Sequence, residues 1–163
     1  MGWVDRVQPA PVELATFRRV LLNTVHAIAL VFGTVFIHAA CTVLVLAWLH
    51  SVGAHHRALR TPVTRASVLG ALVLLMSVAI LLESMLWAGL YVMVGALPTM
   101  GEAVYFSLVT FTTLGYGDIT LHEQWRMLAA FQAATGILMF GWTTAIIVAV
   151  AQRVFLRRGE NGE

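Results

Sequence analysis

The residues best placed to do chemistry form one short run, TTLGYGD at 112–118, which lies between two long apolar stretches. Glycine adopts positive φ without a Cβ penalty, so Gly115 and Gly117 allow the backbone to alternate in a way that other residues resist. Such alternation turns consecutive carbonyl oxygens toward one side, where they can replace the hydration shell of a cation. The side chains of Leu114 and Tyr116 then point away and wedge the loop from behind. A plain Gly-Tyr-Gly turn is the alternative.

Composition places this run in an integral membrane protein. Of the 163 residues, 60% are hydrophobic and only 11% are charged, which is outside the range of soluble domains. The formal net charge of +2 gives no electrostatic footprint for nucleic acid. No phosphate-binding glycine loop, nucleophile triad or metal-ligand spacing is present in the sequence. We therefore expect neither an enzyme nor a cofactor, apart from a permeant ion.

Three apolar stretches are long enough to cross a bilayer as helices, which takes roughly 20 residues. Glu83 is the one acidic residue well inside a stretch. The predicted division is an N-terminal segment (1–19), an extra N-terminal transmembrane helix (20–50), a cytoplasmic linker (51–65), an outer helix (66–97), a half-helix with the 112–118 run (98–124), an inner helix (125–155) and a cytoplasmic tail (156–163).

The segment 98–124 is too short for two full crossings. Pro98 and Gly101 mark its start, and Glu102 in a first turn suits a helix N-terminus. We therefore expect a half-helix from Glu102 to about Thr112, followed by an extended run and a return. Non-helical backbone at membrane depth is tolerated only where it is buried in protein or lines water. A position where several subunits meet satisfies that condition.

Residues 66–155 resemble the pore module of the potassium-channel superfamily, which consists of outer helix, pore helix, selectivity filter and inner helix in that order. The stretch YFSLVTFTTLGYGDI at 105–119 is similar to the pore helix and filter of that family almost throughout. Leu114 stands where the family filter TVGYG has Val. The resemblance implies an all-α membrane protein, here with an additional N-terminal helix. Each chain has one loop, so a filter ring of four loops implies a homotetramer.

The family also implies a function, passive potassium conduction. The residues that would bind K⁺ through their carbonyls are Thr113, Leu114, Gly115 and Tyr116, with the Thr113 hydroxyl at the inner end, and those that would support the filter are Thr112, Gly117, Asp118 and Tyr105. A non-selective cation channel, a cation-transporter subunit and a non-conducting accessory protein with a pore-module fold are the alternatives.

Asp118 stands where the family has an acid that bonds to the pore helix. Val109 occupies the position at which some members carry a Glu partner, so the hydroxyl of Tyr105 is the candidate partner in this sequence. An exposed acid that concentrates cations at the mouth is the alternative.

Three residues are candidates for gating. Gly136 lies where the family commonly has a hinge glycine, although close helix packing explains it as well, and Gly141 is a second candidate for either role. Glu83 is either a structural anchor or a proton sensor. As an anchor it would be protonated or bonded, either to Thr34 or His38 of the first helix or to the pore helix.

The orientation of the chain in the membrane is predicted from the distribution of its arginines. Cytoplasmic loops of membrane proteins are rich in arginine and lysine. We therefore expect a plasma-membrane protein with its C-terminus in the cytoplasm and its filter mouth on the extracytoplasmic side. The arginines expected in the cytoplasm are Arg57, Arg60, Arg65, Arg153, Arg157 and Arg158. If residues 20–50 cross, the N-terminus lies outside; an interfacial helix or a hairpin is the alternative. A polar stripe on this helix should face protein rather than lipid: Asn23, His26, Thr34, His38, Cys41 and Trp48.

Overall fold

The computed structural model describes residues 11–54 and 61–155, and all regular structure in these two segments is helical. The elements are α1 (Pro11–Ala54), α2 (Pro62–Met93), α3 (Met100–Phe111), a 3-10 turn (Glu123–Trp125) and α4 (Arg126–Phe155). Helices α1, α2 and α4 are each long and apolar enough to cross a membrane, and α3 is a short apolar helix between two of them. The predicted all-α membrane fold is confirmed.

Threonine side chains define where two of these helices begin. The Thr61 hydroxyl accepts the backbone N–H of Thr64 at 3.2 Å, just before Pro62 starts α2. The Thr99 hydroxyl accepts the N–H of Glu102 at 3.2 Å. Because Thr99 is the cap, α3 starts at Met100, two residues before the predicted half-helix. Glu102 then lies in the first turn, where its charge favours the positive end of the helix dipole.

Helix α1 is one continuous helix, so the hairpin alternative is wrong. It begins at Pro11 rather than near residue 20, and its apolar portion is Val20–Ser51. The arginines at 57, 60, 157 and 158, on which the orientation partly depends, lie outside the described residues, as do residues 1–10.

The contacts of α1 give its direction. Its Thr34 accepts a hydrogen bond from the indole N–H of Trp87 at 3.0 Å, and its His38 bonds Glu83 at 2.8 Å, so α1 and α2 run antiparallel. The side-chain amide of Asn23 donates to the carbonyl of Gln124 at 2.7 Å, close to the start of α4. Further along both helices, His38 of α1 bonds Thr143 of α4, so α1 and α4 run parallel. The N-terminal end of α1 lies on the same side as the 112–118 run.

The polar stripe predicted on α1 is only partly correct. Asn23, Thr34 and His38 are buried, and Cys41 and Trp48 are half-buried, but His26 is exposed. The positions that face α2 and α4 recur every three to four residues and include Ala27 rather than its neighbour His26. Successive side chains on a helix are rotated by about 100° around its axis, which is enough to turn His26 away from this contact face.

Helix α3 meets α4 in a very close contact at Gly136. A Cβ added at Gly136 would lie 1.9 Å from the carbonyl oxygen of Phe111, the last residue of α3. The end of α3 therefore rests on the backbone of α4, and only glycine fits there. Close packing is therefore one role of Gly136, as the sequence allowed. Gly141 differs, because a Cβ there meets no atom within 4 Å.

We predict that Gly136→Ala destabilises the protein by about 1–3 kcal/mol or more. The added Cβ would overlap the backbone of Phe111, and neither backbone can move away without separating α3 from α4. Gly141→Ala is the matched control and should be neutral, or stabilising by up to about 1 kcal/mol, since alanine favours helix over glycine. Thermal unfolding of the purified protein in detergent measures both. Equal effects of the two substitutions would contradict the close contact at Gly136.

Candidate functional site

The 112–118 run has an alternating backbone. Gly115 and Gly117 have φ of 59° and 78°, which is the left-handed region that their sequence positions predict. Thr113 extends the alternation with φ of 60°, and it is the one non-glycine residue with positive φ in the described segments. Positive φ thus occurs at every second residue from Thr113 to Gly117. This is the geometry that brings successive carbonyl groups to one side of a chain.

The inner half of the run is tied to the last turn of α3. The amide of Thr113 donates to the carbonyl of Thr110 at 3.0 Å, and those of Leu114 and Gly115 both donate to the carbonyl of Val109, at 3.0 and 3.2 Å. The Thr112 hydroxyl closes the same turn with a bond of 2.7 Å to the Leu108 carbonyl. Val109 therefore supports the run through its backbone oxygen, a role that its apolar side chain does not reveal.

The carbonyl oxygens of residues 113–116 accept no hydrogen bond from the described part of the chain. The amides of the run up to Gly115 thus anchor it to α3, while the oxygens from Thr113 to Tyr116 have no such partner. Unpaired carbonyls away from bulk water cost free energy unless another group coordinates them. A cation that gives up its hydration shell is such a group.

The side chains that were expected to wedge the run from behind do not pack within one chain. Leu114 is 55% exposed and Tyr116 is 67% exposed. On the inner side, Thr112 and Thr113 share an open recess with Ile137 and Phe140 of α4. The run therefore lies at the surface of the chain, with its apolar side chains exposed.

The outer end of the run is bonded to α3 by Tyr105 and Asp118. The Tyr105 hydroxyl donates to Oδ2 of Asp118 at 2.7 Å, which is the partner that the sequence suggested in place of an acid at Val109. This bond stabilises the carboxylate and lowers the pKa of Asp118; it also raises the pKa of Tyr105, because only the protonated phenol can donate. Asp118 remains exposed, so its charge also acts at the mouth.

Behind α3 lies a buried hydrogen-bonded group that the sequence analysis missed. Gln132 of α4 is fully buried; its amide nitrogen donates to the Ser107 carbonyl of α3 at 3.2 Å, and its amide oxygen accepts from the hydroxyl of Tyr91 in α2 at 2.7 Å. Ser107 in turn donates to the Ser84 carbonyl of α2. These bonds join α2, α3 and α4. The sequence did contain a signal, because an amide in the middle of an apolar helix needs a partner in lipid.

Glu83 lies apart from the 112–118 run. It is fully buried between α1, α2 and α4, and it has the His38 partner that the sequence left open among several. Thr34, the other candidate on α1, bonds Trp87 instead. Glu83 thus contributes to the contacts between helices and is not part of the row of carbonyl oxygens at residues 113–116.

A family model described as an ion channel matches residues 71–153, which is half of the chain and extends from α2 through the 112–118 run to α4. No curated protein and no solved structure matches the chain.

We predict that Gln132→Leu destabilises the protein by about 1–3 kcal/mol, because it leaves the buried hydroxyl of Tyr91 without its acceptor and removes the bond to Ser107. Gln152→Leu applies the same substitution at an exposed site of the same helix, so its effect should stay within about 0.5 kcal/mol. Chemical unfolding in detergent followed by far-ultraviolet circular dichroism measures the difference. Equal stability of the two variants would contradict a role for Gln132 in joining the helices.

Proposed function

The chain belongs to the ion-channel family, and from that premise we propose that it assembles as a homotetramer that conducts potassium selectively and passively. Four copies of the 112–118 run would surround one axis. The ions would be bound by the carbonyl oxygens of Thr113, Leu114, Gly115 and Tyr116, with the Thr113 hydroxyl at the inner end. Thr112, Gly117, Asp118 and Tyr105 would hold this array in place.

The proposal is carried by the alternating φ of residues 113–117, combined with the carbonyl oxygens of residues 113–116, which accept no hydrogen bond from the described residues. Backbone oxygens are uncharged, so they suit an ion that must bind and leave quickly. Ions in adjacent sites repel one another, and this repulsion offsets the attraction of each site. Replacement of valine by Leu114 leaves these ligands unchanged, because coordination uses the backbone.

The inner recess supports cation entry. It is lined by Thr112, Thr113, Ile137 and Phe140, at the C-terminal end of α3. The carbonyl end of a helix carries partial negative charge and favours a cation. A partly hydrated ion below the run would therefore be stabilised before it loses its remaining water.

The tetramer is supported by what one chain leaves uncovered. Each chain supplies one run, and Leu114 and Tyr116 beside it are exposed. On α4, the apolar side chains of Ile137 and Leu138 are 61% and 66% exposed, close to the inner recess. Packing among four chains would cover these side chains and bury the non-helical backbone in protein, as membrane depth requires.

The proposed orientation places the 112–118 run at the extracytoplasmic face of the plasma membrane and the end of α4 in the cytoplasm. The arginine distribution in the sequence supports it. In that orientation the start of α1 would lie outside as well, because α1 and α4 run parallel. Gly141, which has open space around it, would let α4 bend in a gating motion, and Gly136 and Glu83 remain candidates for that motion as well.

We predict that liposomes containing the purified protein take up rubidium and potassium but not sodium. Gly115→Ala should abolish this flux, because alanine at positive φ costs roughly 1–2 kcal/mol and would turn the carbonyl array. Gly101→Ala is the control, since its site in α3 has no positive φ and no neighbour within 4 Å, and it should retain flux.

The possible results separate the alternatives. Equal sodium and potassium flux would favour a non-selective cation channel, and absence of flux from well-folded tetramers would favour an accessory protein. Flux that depends on a co-transported ion would favour a transporter subunit. Each of these would overturn the proposed function.

We further predict that Tyr105→Phe reduces the lifetime of the conducting state, because the outer end of the run loses its bond to α3. The pKa of Asp118 is lowered by this bond, so the bonded state is lost as pH falls through that lowered value. Without the phenol the pKa of Asp118 should rise, and acid inhibition of flux should begin at a higher pH. Flux that is unchanged in rate and acid sensitivity would contradict this role for Tyr105.

A further inference from the structure

His38 of α1 contacts both other long helices through its two ring nitrogens. Its Nδ1 bonds Oε1 of Glu83 in α2 at 2.8 Å, and its Nε2 bonds the hydroxyl of Thr143 in α4 at 3.3 Å. The ring of Trp142 lies against the imidazole, with centroids 5.3 Å apart. His38 and Glu83 are fully buried and Thr143 is nearly so. We call the chain Glu83–His38–Thr143 the His38 bridge.

The hydroxyl of Thr143 is used differently from those of its neighbours. Thr135 and Thr144 both donate to the carbonyl four residues earlier in α4, at 2.7 and 2.8 Å, as threonines in apolar helices commonly do. Thr143 instead bonds α1. This bond joins α4 to another helix two residues beyond Gly141, where a Cβ would meet open space.

Glu83 depends on the same histidine. Its second oxygen, Oε2, has no hydrogen-bond partner among the described residues, so its hydrogen bond is the one to His38. The other titratable group in the described segments that interacts with Glu83 is Cys41, one turn further along α1. Toward His38, α4 presents the uncharged Thr143 and Trp142. A buried polar group in an apolar bundle is costly to leave unpaired.

We propose that His38 is a positioning residue for the pore-lining helix: through the His38 bridge, α1 holds the part of α4 beyond Gly141 against α2. The whole of α1 precedes the region that the ion-channel family model matches, so this restraint is an addition to the matched module. A second bond, from Asn23 to the carbonyl of Gln124, fixes the other end of α4 to the same helix. Movement of α4 about Gly141 would have to break the His38 bridge but not the Asn23 bond.

The test uses substitutions that break the bond to Thr143 and leave the bond between position 38 and Glu83 possible. In His38→Asn the amide nitrogen can still reach Glu83 in place of Nδ1, but the side chain is too short for Thr143. Thr143→Val removes the hydroxyl at constant shape, and Thr143→Ser retains it. Thr144→Val is the matched control, because its hydroxyl bonds only within α4.

This inference rests on the proposed channel function, and the first readout is the ratio of open to closed times in single-channel recording. His38→Asn and Thr143→Val should each change that ratio by about twofold to tenfold in the same direction, the range expected for one buried hydrogen bond. The double variant should change it no further than either single one. Thr143→Ser should restore the wild-type ratio, and rubidium selectivity should stay unchanged throughout.

An unchanged ratio in both single variants, additive effects in the double variant, or an equal effect of Thr144→Val would overturn the proposal. Lower yield or lower melting temperature with an unchanged ratio would reduce the bridge to a packing contact and overturn it as well.

A second readout does not need conduction. Amide hydrogen exchange in residues 141–150 of α4 should be faster in His38→Asn and Thr143→Val than in wild type and in Thr144→Val, with exchange in α3 unchanged. If wild-type protein carries no current but exchange follows this pattern, the channel function fails and the restraint stands. If current is normal and exchange is the same in all variants, the restraint fails alone.

Discussion

Hydrogen bonding of the non-helical backbone governs this structure, because a chain in an apolar surrounding cannot leave peptide groups unpaired without cost. In the 112–118 run, the amide groups and the carbonyl groups have different surroundings. Its first amides are satisfied by carbonyls at the end of α3, and its carbonyls from Thr113 to Tyr116 accept no hydrogen bond from residues 11–54 and 61–155. Positive φ at alternate residues makes this division possible, since it separates the direction of the amides from that of the oxygens. The other helices of the chain hold the end of α3 at the place where this arrangement can occur.

Two kinds of contact hold α3 in that place, and neither relies on apolar burial alone. At Gly136 the helix backbones touch, so the distance between α3 and α4 is defined by the absence of a side chain. One turn earlier, Gln132 bonds the Ser107 carbonyl and accepts from Tyr91. Lipid tails are as apolar as leucine, so hydrophobic burial gives little preference for one helix arrangement over another in a membrane. Close approach and directional hydrogen bonds supply that preference.

The same reasoning applies to α1, which binds the matched module through polar groups. Its contacts are Asn23 with Gln124, Thr34 with Trp87, and His38 with both Glu83 and Thr143. The outward positions of α1, such as Phe32 and Phe36, are apolar and exposed, as a lipid-facing surface requires. Helix α1 therefore has one face that specifies its position and another that suits the bilayer.

Composition and motif determined much of this protein before any coordinates. Apolar length predicts three membrane helices, and the half-helix follows from a segment too short to cross twice. The glycines at 115 and 117 predict the unusual φ values, because only glycine reaches them at little cost. These features are local, so a linear pattern is sufficient to predict them. The proposal of carbonyl ligands likewise needs only the sequence, since the backbone would provide them whatever the side chain at Leu114.

Only the tertiary structure decided which side chains meet. Gln132, Tyr91 and Ser107 are distant in sequence, and each has several possible partners until the helices pack. The register of α1 also depends on packing: a shift of one residue turns a side chain by 100°, which is why His26 is exposed while Ala27 is buried. The choice of His38 over Thr34 as the partner of Glu83, and of His38 as the partner of Thr143, was decided in the same way. Periodicity shows that a helix has a polar face; the neighbouring helices decide which atoms on that face form bonds.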